Sequence, residues 1–146
     1  MHEPVELTVE ECLDLLNGGV VGRVAMATPM GPRIVPVNYA MYDGAIVFRT
    51  TPYSELGSYG RNIDLAFEID RLDYDRQEGW SVVALGRAEM VEDPDELRTI
   101  RDGWDPTPWV AGPRHLYLKL RWREITGRRL AGDGTRGSVS PVPQAV

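Results

Sequence analysis

The sequence has one cysteine and two histidines in 146 residues. Cys12 has no partner in the chain, so no intramolecular disulfide can form and a reducing compartment is the simpler setting. A metal centre needs several converging His, Cys or carboxylate ligands. His2 and His115 are too few for that, and Cys12 falls on an apolar helical stripe where a packed thiol is the expected role. Long apolar runs are missing too. Nothing approaches the roughly 20 residues of a membrane span, and Met1–Thr8 is acidic where a signal peptide would be basic, so a cytoplasmic protein with no membrane partner is expected. An excess of positive charge is also lacking. With 16 Lys+Arg against 22 Asp+Glu the net charge is −6, which removes the general attraction to phosphate backbones on which nucleic-acid binding rests. No G-x-S-x-G elbow, phosphate loop or strand-borne G-x-G-x-x-G is present.

What is present suits one ordinary domain. A 16.3 kDa chain folding alone buries roughly two-thirds of its unfolded surface, enough for a core without staples. Thr8 with Glu11 three residues on makes a capping box, Val9, Cys12, Leu13 and Leu16 fall at helical spacing, and Gly18-Gly19 stops a helix of about ten residues.

From Val20 the period changes to two. Val20–Ala27 and Arg33–Tyr42 alternate around a turn at Pro29–Pro32, and Asp43-Gly44 closes a tight hairpin into Ala45–Thr50. Pro36 cannot donate to a ladder, so it marks an edge, a bulge or a place where the strand faces a ligand. Ser54 opens a short, poorly formed helix, and Leu65–Asp70 reads as a fourth strand. Trp80–Glu92 is the fifth, with Gly86 marking a bend or bulge. Asp93-Pro94 starts a helix to about Arg101, and the stretch from Asp102 to Pro113 reads as loop. His115–Ile125 is a sixth strand, and from about Ala131 the composition predicts a flexible tail. The pattern predicts a mainly β protein: a six-stranded antiparallel barrel over residues 1–130 with short helices, closed or partly split, and a tail over 131–146.

Candidate site residues gather around the second and third strands: Arg33, Asn38, Arg49, Thr50, Thr51 and Ser54. Guanidinium and hydroxyl groups at strand ends beside a helix start can cradle a phosphate. The plainer alternative is that Arg33 and Arg49 are outward-facing strand residues, the norm on half-buried strands. No side chain stands out as a catalytic acid or base, and His115 at a strand start is more often structural.

The same segments resemble a known family. Val21-Gly22-Arg23-Val24-Ala25, Pro32-Arg33-Ile34-Val35-Pro36-Val37-Asn38-Tyr39, Val47-Phe48-Arg49-Thr50-Thr51-Pro52, Ala66-Phe67-Glu68-Ile69-Asp70 and Gly79-Trp80-Ser81-Val82-Val83, in this order over about Leu7 to Leu130, are similar to the pyridoxamine 5'-phosphate oxidase-like flavin-binding split barrels. The resemblance implies a homodimer with FMN at the subunit interface and oxidoreductase chemistry on a small organic substrate. Carried over by position, Arg33, Ile34, Val35, Pro36, Asn38, Arg49, Thr50 and Ser54 would line the flavin, with Trp80 and Ser81 approaching from the fifth strand. Two departures stand out. Glu55 occupies the position after Ser54 where similar proteins usually carry Lys or Arg, and Tyr53 stands where Gly is common. A carboxylate beside a dianionic phosphate is repulsive, so a deazaflavin, or a barrel that has lost redox function and serves as a binding module, are the alternatives. Thr126-Gly127-Arg128-Arg129 replaces the Arg-x-His substrate motif, so vitamin B6 oxidation is not expected.

Overall fold

The computed structural model describes residues 3–104, 106 and 116–131. His2, His115, most of the stretch from Asp102 to Pro113 and the tail beyond Ala131 fall outside these residues.

Among the described residues, seven strands form one antiparallel sheet: β1 (Val5–Glu6), β2 (Val21–Thr28), β3 (Gly31–Tyr42), β4 (Ala45–Thr50), β5 (Asp64–Asp73), β6 (Glu78–Met90) and β7 (Leu116–Leu130). Their order is β1-β7-β4-β3-β2-β5-β6, and β6 also pairs with β7. That last pairing closes six strands, β2 to β7, into the expected barrel. β1 is an addition that alternation could not reveal. It is two residues long and joins the sheet only because Val5 and Glu6 lie opposite Arg129 and Arg128 of β7.

The barrel is split at β3. Its ladder to β4 covers only Tyr39 to Tyr42, whereas Gly31 to Asn38 pair with β2 alone among the described residues. The Tyr39 N–H donates to the Val20 carbonyl at 3.0 Å. Antiparallel alternation therefore aims the amides of Val35 and Val37 at β2 and those of Ile34 and Asn38 away from it. Pro36 occupies an away-facing position, so its missing N–H removes no bond from the β2 ladder.

β7 is longer than its sequence period suggests. Leu116, Leu118 and Leu120 face the core, but opposite Leu85 and Gly86 the pairing skips Arg123, an extra residue that reverses the phase. Beyond it Ile125 and Gly127 face inward, and the strand runs on to Leu130. At Gly86 the β7 backbone leaves no room for a side chain: a Cβ there would lie 2.2 Å from the Arg121 carbonyl oxygen.

Among the described residues three helices pack on the sheet. α1 (Val9–Asn17) has the complete Thr8–Glu11 capping box and buries Cys12, Leu15 and Leu16. α2 (Glu55–Tyr59) is capped by Ser54 and buries Leu56. α3 (Pro94–Gly103), capped by Asp93, closes a second apolar cluster of Val47, Val91, Ile100 and Tyr117 outside the barrel wall. The barrel interior holds Val24, Val37, Phe48, Phe67, Val82 and Leu118 among others.

Candidate functional site

Residues paired across an antiparallel sheet share a face. On β3, the Ile34, Pro36 and Asn38 side chains point outward, whereas Val35 faces inward and packs on the core. Arg33 shares the inward parity of Val35 but lies near the end of the strand, where its head escapes the core and meets α2. Thr50 also points inward and is 4% exposed.

Three of the expected residues converge at this end of the barrel. The Thr50 and Ser54 hydroxyl oxygens lie 2.6 Å apart. The Ser54 hydroxyl donates to the Thr51 carbonyl and accepts from the Gly57 N–H. With its one proton given to Thr51, the Ser54 oxygen is the acceptor for Thr50. Next along the chain, the Glu55 carboxylate reaches back to Arg33, 3.5 Å from Nε, and Arg33 Nη1 donates to the Pro32 carbonyl. Arg33, Thr50 and Ser54 are thus gathered by α2, with Glu55 inside the same group.

The remaining expected residues stand apart. Arg49 lies on the outer face of β4 over the ring of Tyr117, 5.1 Å from its centroid, directly opposite it in the β4–β7 register. Trp80 points into the core and is 8% exposed, and its indole N–H has no hydrogen-bond partner among the described residues. Ser81 is outward on β6 and borders a groove of about 550 Å³ with Leu72, Tyr74, Arg128 and Leu130. β2 and β5 separate Ser81 from Asn38. Three strand spacings of about 4.8 Å put the two roughly 14 Å apart along the sheet, too far to touch one ring within a single chain.

Sequence reasoning missed two features. The first is the Arg33–Glu55 ion pair. The second lies on the outer face, where Arg23 donates through Nε to Glu68 at 2.8 Å and pairs through Nη2 with Asp70 at 2.9 Å. Burial raises the Glu68 carboxyl above its ordinary range; the Arg23 hydrogen bond opposes this and neighbouring Asp70 reinforces it. The Glu68 hydrogen bond in turn raises Arg23 further. One signal was available: Arg23, Glu68 and Asp70 all occupy outward strand positions, next to Val21, Ala25 and Ala66 on the same face.

The model of the family described as pyridoxamine 5'-phosphate oxidase matches residues 8–129. The chain belongs to the pyridoxamine 5'-phosphate oxidase family. An uncharacterised protein of Mycobacterium tuberculosis is 32% identical over 137 residues, covering 90% of this chain and 89% of its own. Among solved structures, an FAD-binding protein of Mycobacterium smegmatis is 28% identical with a TM-score of 0.73, covering 87% of this chain and 98% of its own. An FAD-binding protein of Mesorhizobium loti, 24% identical with a TM-score of 0.77 over 90% and 99% of the two chains, shares the fold.

A flavin is the group this pyridoxamine 5'-phosphate oxidase-type fold implies, and the residues fit one. The half of β3 without a β4 partner offers a flat backbone edge with outward amides at Ile34 and Asn38. Ile34, 71% exposed, adds apolar surface for a ring, and the Arg33 guanidinium supplies forked donors for a phosphate. Glu55 is at odds with a strongly anionic ligand.

Proposed function

We propose that this family member is a flavin-dependent oxidoreductase acting on a small organic substrate. The observation that carries the reading is the split of the barrel at β3, which leaves a backbone edge beside Arg33, Thr50 and Ser54, residues that the family resemblance assigns to the cofactor. When bound, the flavin supplies the hydride chemistry. The chain would hold its phosphate through Arg33, with Thr50 and Ser54 keeping the turn below it in place, and would lay the ring along Ile34, Pro36 and Asn38. FMN is one candidate; the M. smegmatis relative, an FAD-binding protein, makes the dinucleotide another.

The functional unit on this reading is a homodimer with the cofactor at the interface. Two observations support it. The outer face of β2, β3, β5 and β6 carries Ile34, Ala25, Ala66 and Leu85 in one cross-strand row, an apolar stripe of the kind partners cover. Ser81, too distant from Asn38 in its own chain, becomes useful when a second copy brings it to the first copy's flavin. Vitamin B6 oxidation is not the activity proposed. Where the substrate motif of that reaction would stand, Gly127 packs against Cys12 and Arg129 lies 3.8 Å from Glu11 of α1.

The test is reconstitution. Purified protein incubated with FMN or FAD and desalted should retain the yellow flavin absorbance, and the bound flavin should be reduced by a nicotinamide donor and reoxidised by an added acceptor. Protein that stays colourless with both flavins would overturn the reading. Flavin bound but never reduced would favour the non-catalytic binding module.

A further inference from the structure

The groove bordered by Ser81 lies at the opposite end of the outer face from Arg33 and α2. Ile34, Ala25 and Ala66 share one level of the sheet, and Leu72 lies six residues further along β5, roughly 20 Å away at about 3.4 Å per residue. The groove is therefore separate from the group around Arg33.

Its walls follow from the register. Cross-strand partners share a face, so Leu72 of β5, Gly79 of β6 and Leu130 of β7 form one outer row. Gly79 brings no side chain between the two leucines. Leu72 leans over it, with Cδ2 2.9 Å from where a Gly79 Cβ would stand, and together with Tyr74 and Leu130 it borders the groove of about 550 Å³. Leu72 and Tyr74 are both exposed. The volume is within the range of about 300 to 1,000 Å³ usual for small-ligand sites.

The next row carries the charge. Asp70, Ser81, Arg128 and Glu6 lie side by side on β5, β6, β7 and β1. Asp70 pairs with Arg23. Arg128 lines the groove and makes no hydrogen bond or ion pair among the described residues, although Glu6 is its neighbour on β1. Its guanidinium thus keeps a planar fork of donors, which a carboxylate can engage through both oxygens. The acidic groups around it limit how much charge a ligand can bring. Glu6 stands beside Arg128, and Asp73 and Glu78 line the groove as well. Asp73 accepts from the Arg76 amide, and Glu78 has an interaction of its own. All three repel further negative charge, so a ligand with one charge is favoured over a phosphate monoester with about −1.5 to −2.

We infer that this groove is a binding site for an apolar monocarboxylate, its carboxylate held by Arg128 and its hydrocarbon part laid against Leu72, Tyr74 and Leu130. The site is built within one chain and does not depend on a flavin at β3.

The experiment is calorimetric titration of the full-length protein, as purified, with decanoate and 3-phenylpropionate, each compared with its neutral amide. At least one carboxylate should bind with a Kd of about 1 mM or tighter, and the tighter of the two tells an aliphatic ligand from an aromatic one. Its amide should bind at least about tenfold more weakly, because it cannot form the charge-assisted pair. Arg128→Gln should weaken the carboxylate about tenfold or more and leave the amide unchanged. Leu72→Ser should weaken carboxylate and amide alike, by about threefold to tenfold. Both variants change exposed side chains, so the fold is not at stake. In nuclear magnetic resonance spectra the carboxylate should shift the amides of Leu72, Gly79 and Leu130, and inorganic phosphate should leave them in place. Binding of neither carboxylate with a Kd below about 10 mM would overturn the inference. So would equal affinity for carboxylate and amide, unchanged carboxylate binding in Arg128→Gln, or shifts gathered around Arg33 and α2.

Discussion

Gly86 of β6 lies so close to the Arg121 carbonyl of β7 that a Cβ built on it would sit 2.2 Å from that oxygen and 2.8 Å from the Trp122 Cα. Both neighbours are backbone, so neither can swing aside. The contact sits at the bulge opposite Arg123, where the β6–β7 ladder changes register. Closure of the barrel depends on that ladder, and the smallest side chain at position 86 forces it apart. Gly86→Ala is expected to destabilise the fold by about 2 to 3 kcal/mol, read as a lower midpoint in urea unfolding. A loss below about 0.5 kcal/mol, the scatter of harmless surface changes, would show that the bulge relaxes freely.

Arg23 holds two carboxylates, Glu68 and Asp70, on the outer face. Removing it leaves them half-buried and facing each other. Since the three side chains are 28% to 38% exposed, the cost of Arg23→Ala falls short of a fully buried pair, at about 1 to 3 kcal/mol near pH 7. The Glu68 carboxyl already titrates above its ordinary value, so the folded state takes up its proton more readily than the unfolded chain. The deficit of the variant should therefore grow as pH rises from about 4 to 7 and shrink as pH falls. Thermal unfolding at several pH values measures it, and a deficit independent of pH would count against the paired-carboxylate cause.

Ile34 is 71% exposed on β3, at one end of the apolar row of the proposed dimer face. Ile34→Glu places a charge in the apolar row opposite Ala25 and beside the half-buried Glu68 network. Sedimentation should shift from dimer toward monomer, with a Kd weakened at least about a hundredfold, the cost of desolvating an unpaired charge at an interface core. The monomer should keep its far-ultraviolet dichroism. A wild-type protein that sediments as a monomer would remove the dimer from the proposal.

Cys12 is fully buried against Gly127, and burial, helped by the nearby Glu11 charge, raises its thiol above the ordinary range. A thiol-specific reagent at pH 8 should leave it unmodified in the folded protein and label it stoichiometrically in denaturant. Cys12→Ser should leave flavin reduction unchanged, in keeping with a packing role. Rapid labelling of the native protein would point to a reactive thiol instead.

Much of this was written in local pattern. Thr8 and Glu11, Ser54, and Asp93 with Pro94 define helix starts because a cap needs only residues three apart. Strand faces from Val21 to Tyr42 follow from alternation, which reports burial directly. The end of β7 did not, because the bulge at Arg123 exchanges the two faces partway along, and a period interrupted by one residue reads as no period. β1 is too short to have a period at all.

The site divides along the same line. The residue types along β3 and β4, and Pro36 as a break in ordinary pairing, are properties of the chain read in order, so the sequence alone determined the barrel class and the strands that carry the site. Only the tertiary structure decided which of those residues meet. It turned Val35 and Trp80 into the core, set Ser81 three strand spacings from Asn38, and folded α2 back so that Glu55 neutralises Arg33. These outcomes depend on contacts between segments far apart in the chain, where sheet closure and helix docking fix distances that no local spacing encodes.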